Sequence, residues 1–169
     1  MRAEAKGTRY SLSQHPPSDM QPLEQIHNFR PVDDTLATSG QPSEAQLEAI
    51  ANAGFNVVIN LALHDDPRYS LADEAGKVTS LGLKYVHIPV QFGSPRREDL
   101  RAFFEAMDAH QGQKVWVHCA ANIRVTAFLG LYRVLRQGWD EERAFALMRG
   151  LWQPNETWSS FIASALHER

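Results

Sequence analysis

Cys119 and Arg124, separated by four residues, are the residues of this sequence whose types and spacing most clearly suggest chemistry. A thiolate is a strong nucleophile. A guanidinium presents a planar fork that binds two oxygens of a phosphate group. The apolar run 114–118 precedes the pair and the helical pattern 125–137 follows it, so the cysteine lies on a loop between a strand and a helix. Such loops direct backbone N–H groups toward anions at the positive end of the helix dipole, which predicts an anion site that contains a nucleophile.

The four intervening residues lack the glycine that tight anion-binding loops often use. Asn122 is the residue best able to adopt a left-handed backbone there. We expect His118, directly before the cysteine, to orient the loop rather than to transfer a proton. The residues expected to bind the anion are Ala120, Ala121, Asn122, Ile123 and Arg124.

The elements that must position this loop alternate along the chain. Short apolar runs predict buried strands, and amphipathic stretches predict helices, which is the pattern of an α/β layer fold. The predicted strands cover residues 36–38, 57–61, 85–88 and 114–118. The predicted helices are one that Ser43 caps and that runs to residue 51, 72–81, a stretch with an apolar face over residues 100–107, 125–137, one that Asp140 caps and that runs to residue 149, and 159–167. These elements indicate a three-layer α/β/α fold with a central, mostly parallel sheet of about four or five strands.

The loop resembles the signature loop of the protein tyrosine phosphatase superfamily. The resemblance rests on His118 and Cys119 at a strand end, on Arg124, and on Thr126 two residues later, and it extends through segments 39–42, 57–61 and 82–90. The sequence is similar to bacterial dual-specificity-like phosphatases with a shortened loop. The superfamily pattern places five residues between cysteine and arginine, whereas this chain has four, although Thr126 keeps the usual spacing from Cys119.

The resemblance implies a reaction and its residues. Cys119 would attack a phosphate monoester to form a phosphocysteine, Arg124 would bind the transferring phosphoryl group, and the Thr126 hydroxyl would assist thiolate departure. The implied substrate is a phosphorylated protein, of phosphotyrosine or dual-specificity type, or a small phosphate ester. No cofactor or metal is implied. Residues 31–169 would form a single phosphatase-like domain. Residues 1–30 are polar and show no sustained period, which independently predicts a flexible or loosely docked segment.

The proton donor for the leaving oxygen is less clearly marked. Family members take an aspartate from a separate loop, commonly the one after the strand that ends here at Pro89, yet residues 90–95 contain no carboxylate. Asp66 and Asp65 follow the carboxyl end of another central strand, where ligand sites of open α/β sheets gather. We rank these two residues above Asp99, which lies in the first turn of a predicted helix.

Two other functions fit the same loop. Rhodanese-like sulfurtransferases also place four residues between cysteine and arginine, and the smaller loop suits a persulfide. A catalytically inactive module that binds phosphate or phosphoprotein would explain the shifted arginine and the unassigned acid. The segment 82–90 and Thr126 favour the phosphatase.

Composition excludes several other classes. A formal net charge of −3 and a pI near 6.1 provide no broad positive field for nucleic acid or an anionic membrane. No stretch approaches the ~20 apolar residues that a membrane span needs. One cysteine can form neither an internal disulfide nor a multi-thiolate metal site, and the histidines lack metal-ligand spacing. We therefore expect a cytoplasmic protein, whose oligomeric state the sequence leaves open.

Overall fold

The computed structural model describes residues 22–169, in which one five-stranded sheet is flanked by seven helices. The strands are β1 (Arg30–Asp33), β2 (Leu36–Ser39), β3 (Val57–Asn60), β4 (Lys84–His87) and β5 (Val115–His118). The helices are α1 (Glu44–Asn52), α2 (Glu74–Ser80), α3 (Arg97–Ala109), α4 (Ile123–Leu135), α5 (Glu141–Ala144), α6 (Ala146–Arg149) and α7 (Glu156–His167), and a short 3-10 turn covers Leu23–Gln25.

The sheet has the strand order β1-β2-β5-β3-β4, with β1 antiparallel to β2 and all other pairs parallel. Strand β5 therefore lies in the middle, between β2 and β3. Its last residue, His118, is in register with Ser39 on one side and with Asn60 on the other. The carboxyl ends of three parallel strands thus meet at the edge from which the Cys119 loop departs.

Apolar side chains cover both faces of the sheet, which confirms the predicted three-layer architecture. Helices α1 and α2 pack on one face around Trp116, through Leu47, Ile50 and Val78. Helices α3, α4 and α7 pack on the other face, with Phe103, Phe128 and Trp158 fully buried. Burial on both faces explains why β3 and β5 are continuous apolar runs rather than alternating ones.

Local signals at the predicted elements are largely confirmed. The capping box of α1 forms, because the Ser43 side chain accepts from the Gln46 N–H and the Gln46 side chain accepts from the Ser43 N–H. The predicted helix 140–149 is instead two short helices, α5 and α6, separated at Phe145. Phe145 is buried with its ring so close to Gly130 of α4 that a Cβ at position 130 would overlap the ring. The helix is therefore interrupted at the residue whose ring packs against α4.

The N-terminal part of the described chain is packed against the sheet. Strand β1 was not predicted from the sequence; it is a four-residue edge strand of alternating burial that contains Pro31. Before it, Ile26 is buried and the Phe29 ring stacks on Trp116 at a centroid distance of 5.5 Å. The predicted boundary near residue 30 therefore falls inside packed structure, whereas residues 1–21 lie outside the described residues.

None of the helices within residues 22–169 combines the length and the apolarity needed to cross a bilayer.

Candidate active site

The loop between β5 and α4 carries the chemistry predicted from the sequence. Strand β5 ends at His118, and Cys119 follows with no exposed surface. Asn122 is the N-terminal cap of α4 and adopts the expected left-handed backbone, with φ of 68° and ψ of 15°. A single left-handed residue turns the chain into the helix where other loops use glycine.

Three consecutive carbonyl groups of this loop, those of Cys119, Ala120 and Ala121, are held by hydrogen bonds. The donors are His118 Nδ1 at 3.2 Å, the Gln41 backbone N–H at 3.0 Å and Asn28 Nδ2 at 3.0 Å. In a trans peptide the N–H points opposite to the preceding C=O. The N–H groups of Ala120, Ala121 and Asn122 therefore point away from these three donors, and this arrangement leaves them available to an anion.

Strand β2, the turn after it and the segment before β1 support the loop from behind. The Asn122 side chain donates to Thr38 Oγ1 at 3.0 Å and to the Asn28 carbonyl at 2.9 Å. Gly40 approaches so closely that a Cβ there would lie 2.5 Å from the Ala120 carbonyl oxygen. The conformation of the loop is therefore set by its neighbours as much as by its own sequence.

Arg124, in the first turn of α4, joins the loop to the segment after β4. It is 9% exposed, and its Nη1 donates to the Val90 carbonyl at 2.8 Å. Arg124 also lines a cleft of about 290 Å³. The other lining residues are Ala62, Leu63, Asp65, Asp66, Tyr69, Gln91, Phe92, Gly93 and Ala120.

Asp66 and Asp65, the two preferred candidates for the proton donor, both line this cleft. Asp66 accepts from Arg68, with Nη2 at 2.8 Å and Nε at 3.1 Å, and these hydrogen bonds lower the pKa of Asp66. Asp65 is exposed beside it. Asp99 lies elsewhere, because it is buried at the start of α3 and bonded to Arg96.

Thr126 lies one turn into α4 and is buried. Its hydroxyl donates to the helix, with Oγ1 at 3.0 Å from both the Asn122 and the Ile123 carbonyl oxygens. The same oxygen accepts from Trp152 Nε1 at 3.0 Å. The hydroxyl therefore connects the start of α4 to Trp152.

The loop 90–95 is anchored by aromatic residues. Trp158 is fully buried and donates from Nε1 to the Phe92 carbonyl at 2.7 Å. Among the large hydrophobic residues of the described chain, Tyr69 and Phe92 are the exposed ones, at 52% and 40%, and both line the cleft that contains Arg124. The cleft thus has aromatic side chains at its rim.

A buried carboxylate behind the loop was not singled out from the sequence. Glu74 and His118 have no exposed surface, and Glu74 Oε2 lies 2.5 Å from His118 Nε2. The other oxygen, Oε1, accepts from Gln41 Nε2 at 2.8 Å. An acidic residue in the first turn of a helix is ordinarily a solvated group that complements the helix dipole, so its spacing carried no signal of this partner.

No group of three or more His, Cys, Asp or Glu side chains between residues 22 and 169 is arranged to hold a metal ion.

Comparison with known families identifies this combination of fold and loop. The family described as "DSP-PTPase phosphatase fused to NAD+ Kinase" matches residues 22–159. The chain belongs to this family. Membership in this dual-specificity-type phosphatase family confirms the resemblance drawn from the loop and the neighbouring strands.

Solved structures extend the comparison. A DUF442 protein from Shewanella putrefaciens CN-32 is 34% identical, with a TM-score of 0.76 over 86% of this chain and 95% of that chain. PTPMT1, solved in complex with PI(5)P, is 17% identical and shares the fold, with a TM-score of 0.70 over 83% of this chain and 96% of that chain.

The curated relatives are longer proteins. The "Beta-lactamase hydrolase-like protein" of two Xylella fastidiosa strains is 28% identical over 123 residues. That match covers 70% of this chain but 28% of the length of those relatives.

Proposed function

We propose that this protein is a cysteine-dependent phosphatase, of phosphotyrosine or dual-specificity type, that hydrolyses phosphate monoesters through a phosphocysteine. The observation that carries the proposal is the loop itself. Cys119 precedes three N–H groups whose orientation is fixed by the bonding of the preceding carbonyls, and Arg124 lies at the end of the same loop, beside the cleft. This arrangement, in a member of a phosphatase family, suits a tetrahedral anion next to a nucleophile.

In the first step, the Cys119 thiolate attacks phosphorus in line with the leaving oxygen. An S–P bond forms as the P–O bond to the leaving group breaks. The backbone N–H groups of residues 120–124 and the Arg124 guanidinium bind the equatorial oxygens, where negative charge is concentrated. A carboxylic acid in the cleft, Asp66 or Asp65, protonates the leaving oxygen.

In the second step, water attacks the phosphocysteine. The carboxylate left by the first step accepts a proton from that water, an O–P bond forms and the S–P bond breaks, so that phosphate and the thiolate are regenerated. The Thr126 hydroxyl would donate a hydrogen bond, without transfer of the proton, to the departing thiolate by turning from the carbonyls of Asn122 and Ile123. His118 orients the loop through the Cys119 carbonyl.

The charges at the cleft favour a substrate with one phosphate group. Arg124 lines the cleft, whereas Arg68 does not line it and is paired with Asp66. The proposed substrates are a phosphorylated protein or a small phosphate ester. Because PTPMT1 was crystallised with PI(5)P, a phosphoinositide belongs in the substrate panel alongside phosphotyrosine and phosphoserine peptides.

Parallel activity assays test the proposal. Phosphate release from aryl phosphates, the two peptides and PI(5)P is measured for the wild type and for Cys119→Ser, with thiosulfate-to-cyanide sulfur transfer run beside it. We expect phosphate release by the wild type alone, with phosphate binding retained in Cys119→Ser. Sulfur transfer without phosphate release would indicate the rhodanese-like alternative, and binding without either turnover would indicate an inactive binding module.

A further inference from the structure

The Glu74–His118 pair is the most deeply buried ionisable pair in the described chain, and the two-step reaction gives Glu74 no task. Glu74 is the first residue of α2, directly after the segment 61–73 that contains Asp65 and Asp66. His118 is the last residue before Cys119. The pair therefore joins the segment carrying the candidate acids to the loop carrying the nucleophile.

Hydrogen-bond chemistry fixes where the protons of this pair lie. The Cys119 carbonyl oxygen can only accept, so His118 Nδ1 carries a proton. The contact of 2.5 Å between His118 Nε2 and Glu74 Oε2 contains a second proton. The pair is thus either an imidazolium with a carboxylate or a neutral imidazole with a carboxylic acid.

The surroundings favour the carboxylate form of Glu74. Burial raises the pKa of Glu74, but the charge of His118 and hydrogen bonds from His118 and Gln41 outweigh it, and the pKa is lowered. Desolvation disfavours charge on the neighbouring groups, because it raises the pKa of Tyr85 on β4 and lowers the pKa of His64 after β3. The nearby His87 faces His64, with ring centroids 4.3 Å apart.

We propose that Glu74 is a positioning residue that keeps His118 an imidazolium, with its positive end directed through Nδ1 at the Cys119 peptide, and so favours the thiolate of Cys119. The protonated ring contacts the Cys119 carbonyl through Nδ1, whereas the balancing carboxylate binds the opposite ring nitrogen, Nε2. The positive charge therefore lies nearer to the Cys119 peptide than the negative charge does, which favours an anion on that residue. This role rests on the proposed function, in which the thiolate is the attacking group.

Titration of the thiol in the 169-residue chain tests this role without turnover. Cys119 is the only cysteine in the chain, so the thiolate ultraviolet absorbance, with Cys119→Ser subtracted, reports that residue alone. In Glu74→Gln the side-chain amide can donate to Nε2 and leave His118 neutral. The thiolate midpoint is then expected to move upward by roughly one pH unit, which lowers the thiolate fraction about tenfold below the midpoint.

Glu48→Gln is the matched control. Glu48 lies in α1 and forms an ion pair, at 2.7 Å, with Lys77 of α2, the helix that begins with Glu74. The Glu48 side chain is half exposed. Glu48→Gln removes one negative charge, as Glu74→Gln does, but at a site whose ion-pair partner is Lys77 rather than His118. The thiolate midpoint should therefore stay at the wild-type value.

The sign of the shift decides the proposal. A downward shift in Glu74→Gln would mean that Glu74 acts only as a nearby negative charge, and an unchanged midpoint would mean that it acts only in packing; either result overturns the proposed role. If Glu74→Gln does not fold, nitrogen-15 NMR of His118 in the wild type supplies the test. Protons on both ring nitrogens at neutral pH support the proposal, and one proton contradicts it.

The proposed role and the proposed function fail separately. Wild-type phosphatase turnover with an unmoved midpoint overturns the role of Glu74 alone. An upward shift in a protein that releases no phosphate from any ester supports the role of Glu74 and overturns the phosphatase.

Discussion

Asn122 donates a hydrogen bond from its side-chain amide to Thr38 Oγ1 at 3.0 Å, which joins the cap of α4 to the central part of β2. A glycine could adopt the same left-handed backbone but could not make this bond. The asparagine therefore serves two purposes, a turn with positive φ and an attachment to the sheet. This explains how a loop without glycine keeps the shape of an anion-binding turn.

Glycine and alanine at position 122 should separate these two purposes. Both substitutions remove the bonds to Thr38 and Asn28, but only alanine must also hold a left-handed backbone. We expect Asn122→Ala to be less stable than Asn122→Gly by about 1 kcal/mol in urea unfolding. Equal stability of the two variants would show that the positive φ carries no cost at this position.

A methyl group at Gly40 should disturb the loop without touching its sequence. The added Cβ would lie 2.5 Å from the Ala120 carbonyl oxygen and 2.7 Å from His27 Cδ2. Overpacking of this kind costs about 1–3 kcal/mol, so we expect vanadate affinity to fall about tenfold or more in Gly40→Ala. Gly150→Ala is the control, because its Cβ meets nothing closer than the Ala146 oxygen at 3.5 Å. Wild-type affinity in both variants would refute the close contact.

The pH profile should identify the general acid. Hydrogen bonds from Arg68 lower the pKa of Asp66, so Arg68→Gln should raise it. An acid must carry its proton, so activity falls as pH rises through its pKa, and a raised pKa moves that fall to higher pH. If Asp66 is the donor, the fall of kcat/KM with rising pH, measured on an aryl phosphate with a poor leaving group, should occur at higher pH in Arg68→Gln than in the wild type.

Substitution of each aspartate completes this test. Loss of the donor should lower kcat/KM on the poor leaving group by about 10²–10⁴ and spare a good one. If Asp66→Asn shows this loss of kcat/KM while Asp65→Asn keeps the wild-type value, Asp66 is the general acid. The reverse pattern, with an unmoved profile in Arg68→Gln, assigns Asp65, and full activity in both variants would remove the pair from the mechanism.

Thr126→Val should slow the second chemical step. Valine keeps the shape but lacks the hydroxyl, so phosphocysteine should accumulate, and the burst of aryl alcohol should be followed by a steady rate roughly tenfold lower. Thr126→Ser is the control, with a normal steady rate. If Thr126→Val turns over at the wild-type rate and only loses stability, the hydroxyl serves solely to connect Trp152 with α4.

Local patterns in the sequence were sufficient for the layers and for the loop. Runs such as 57–61 and 114–118 are buried on both faces, and Ser43 with Gln46 forms its capping box, because these signals depend on neighbours along the chain. Strand β1 escaped prediction because it is short, polar and paired only at an edge. The division at Phe145 depends on Gly130, which is distant in sequence.

The residues that hold the Cys119 loop in place could not be predicted from the sequence, because they too are distant from it along the chain. Asn28 and Glu74 reach the loop from other elements, over separations of 93 and 44 residues. Neither residue type is unusual where it stands in the sequence. Only the fold brings them to the edge of the sheet where the Cys119 loop begins.

The most direct test of the central claim is acid quenching of the protein during turnover of an aryl phosphate, followed by peptide mass spectrometry. We predict phosphate attached to Cys119 in the wild type, increased in Thr126→Val and absent from Cys119→Ser. Phosphate release without any label on Cys119, or undiminished release by Cys119→Ser, would contradict a cysteine-dependent mechanism.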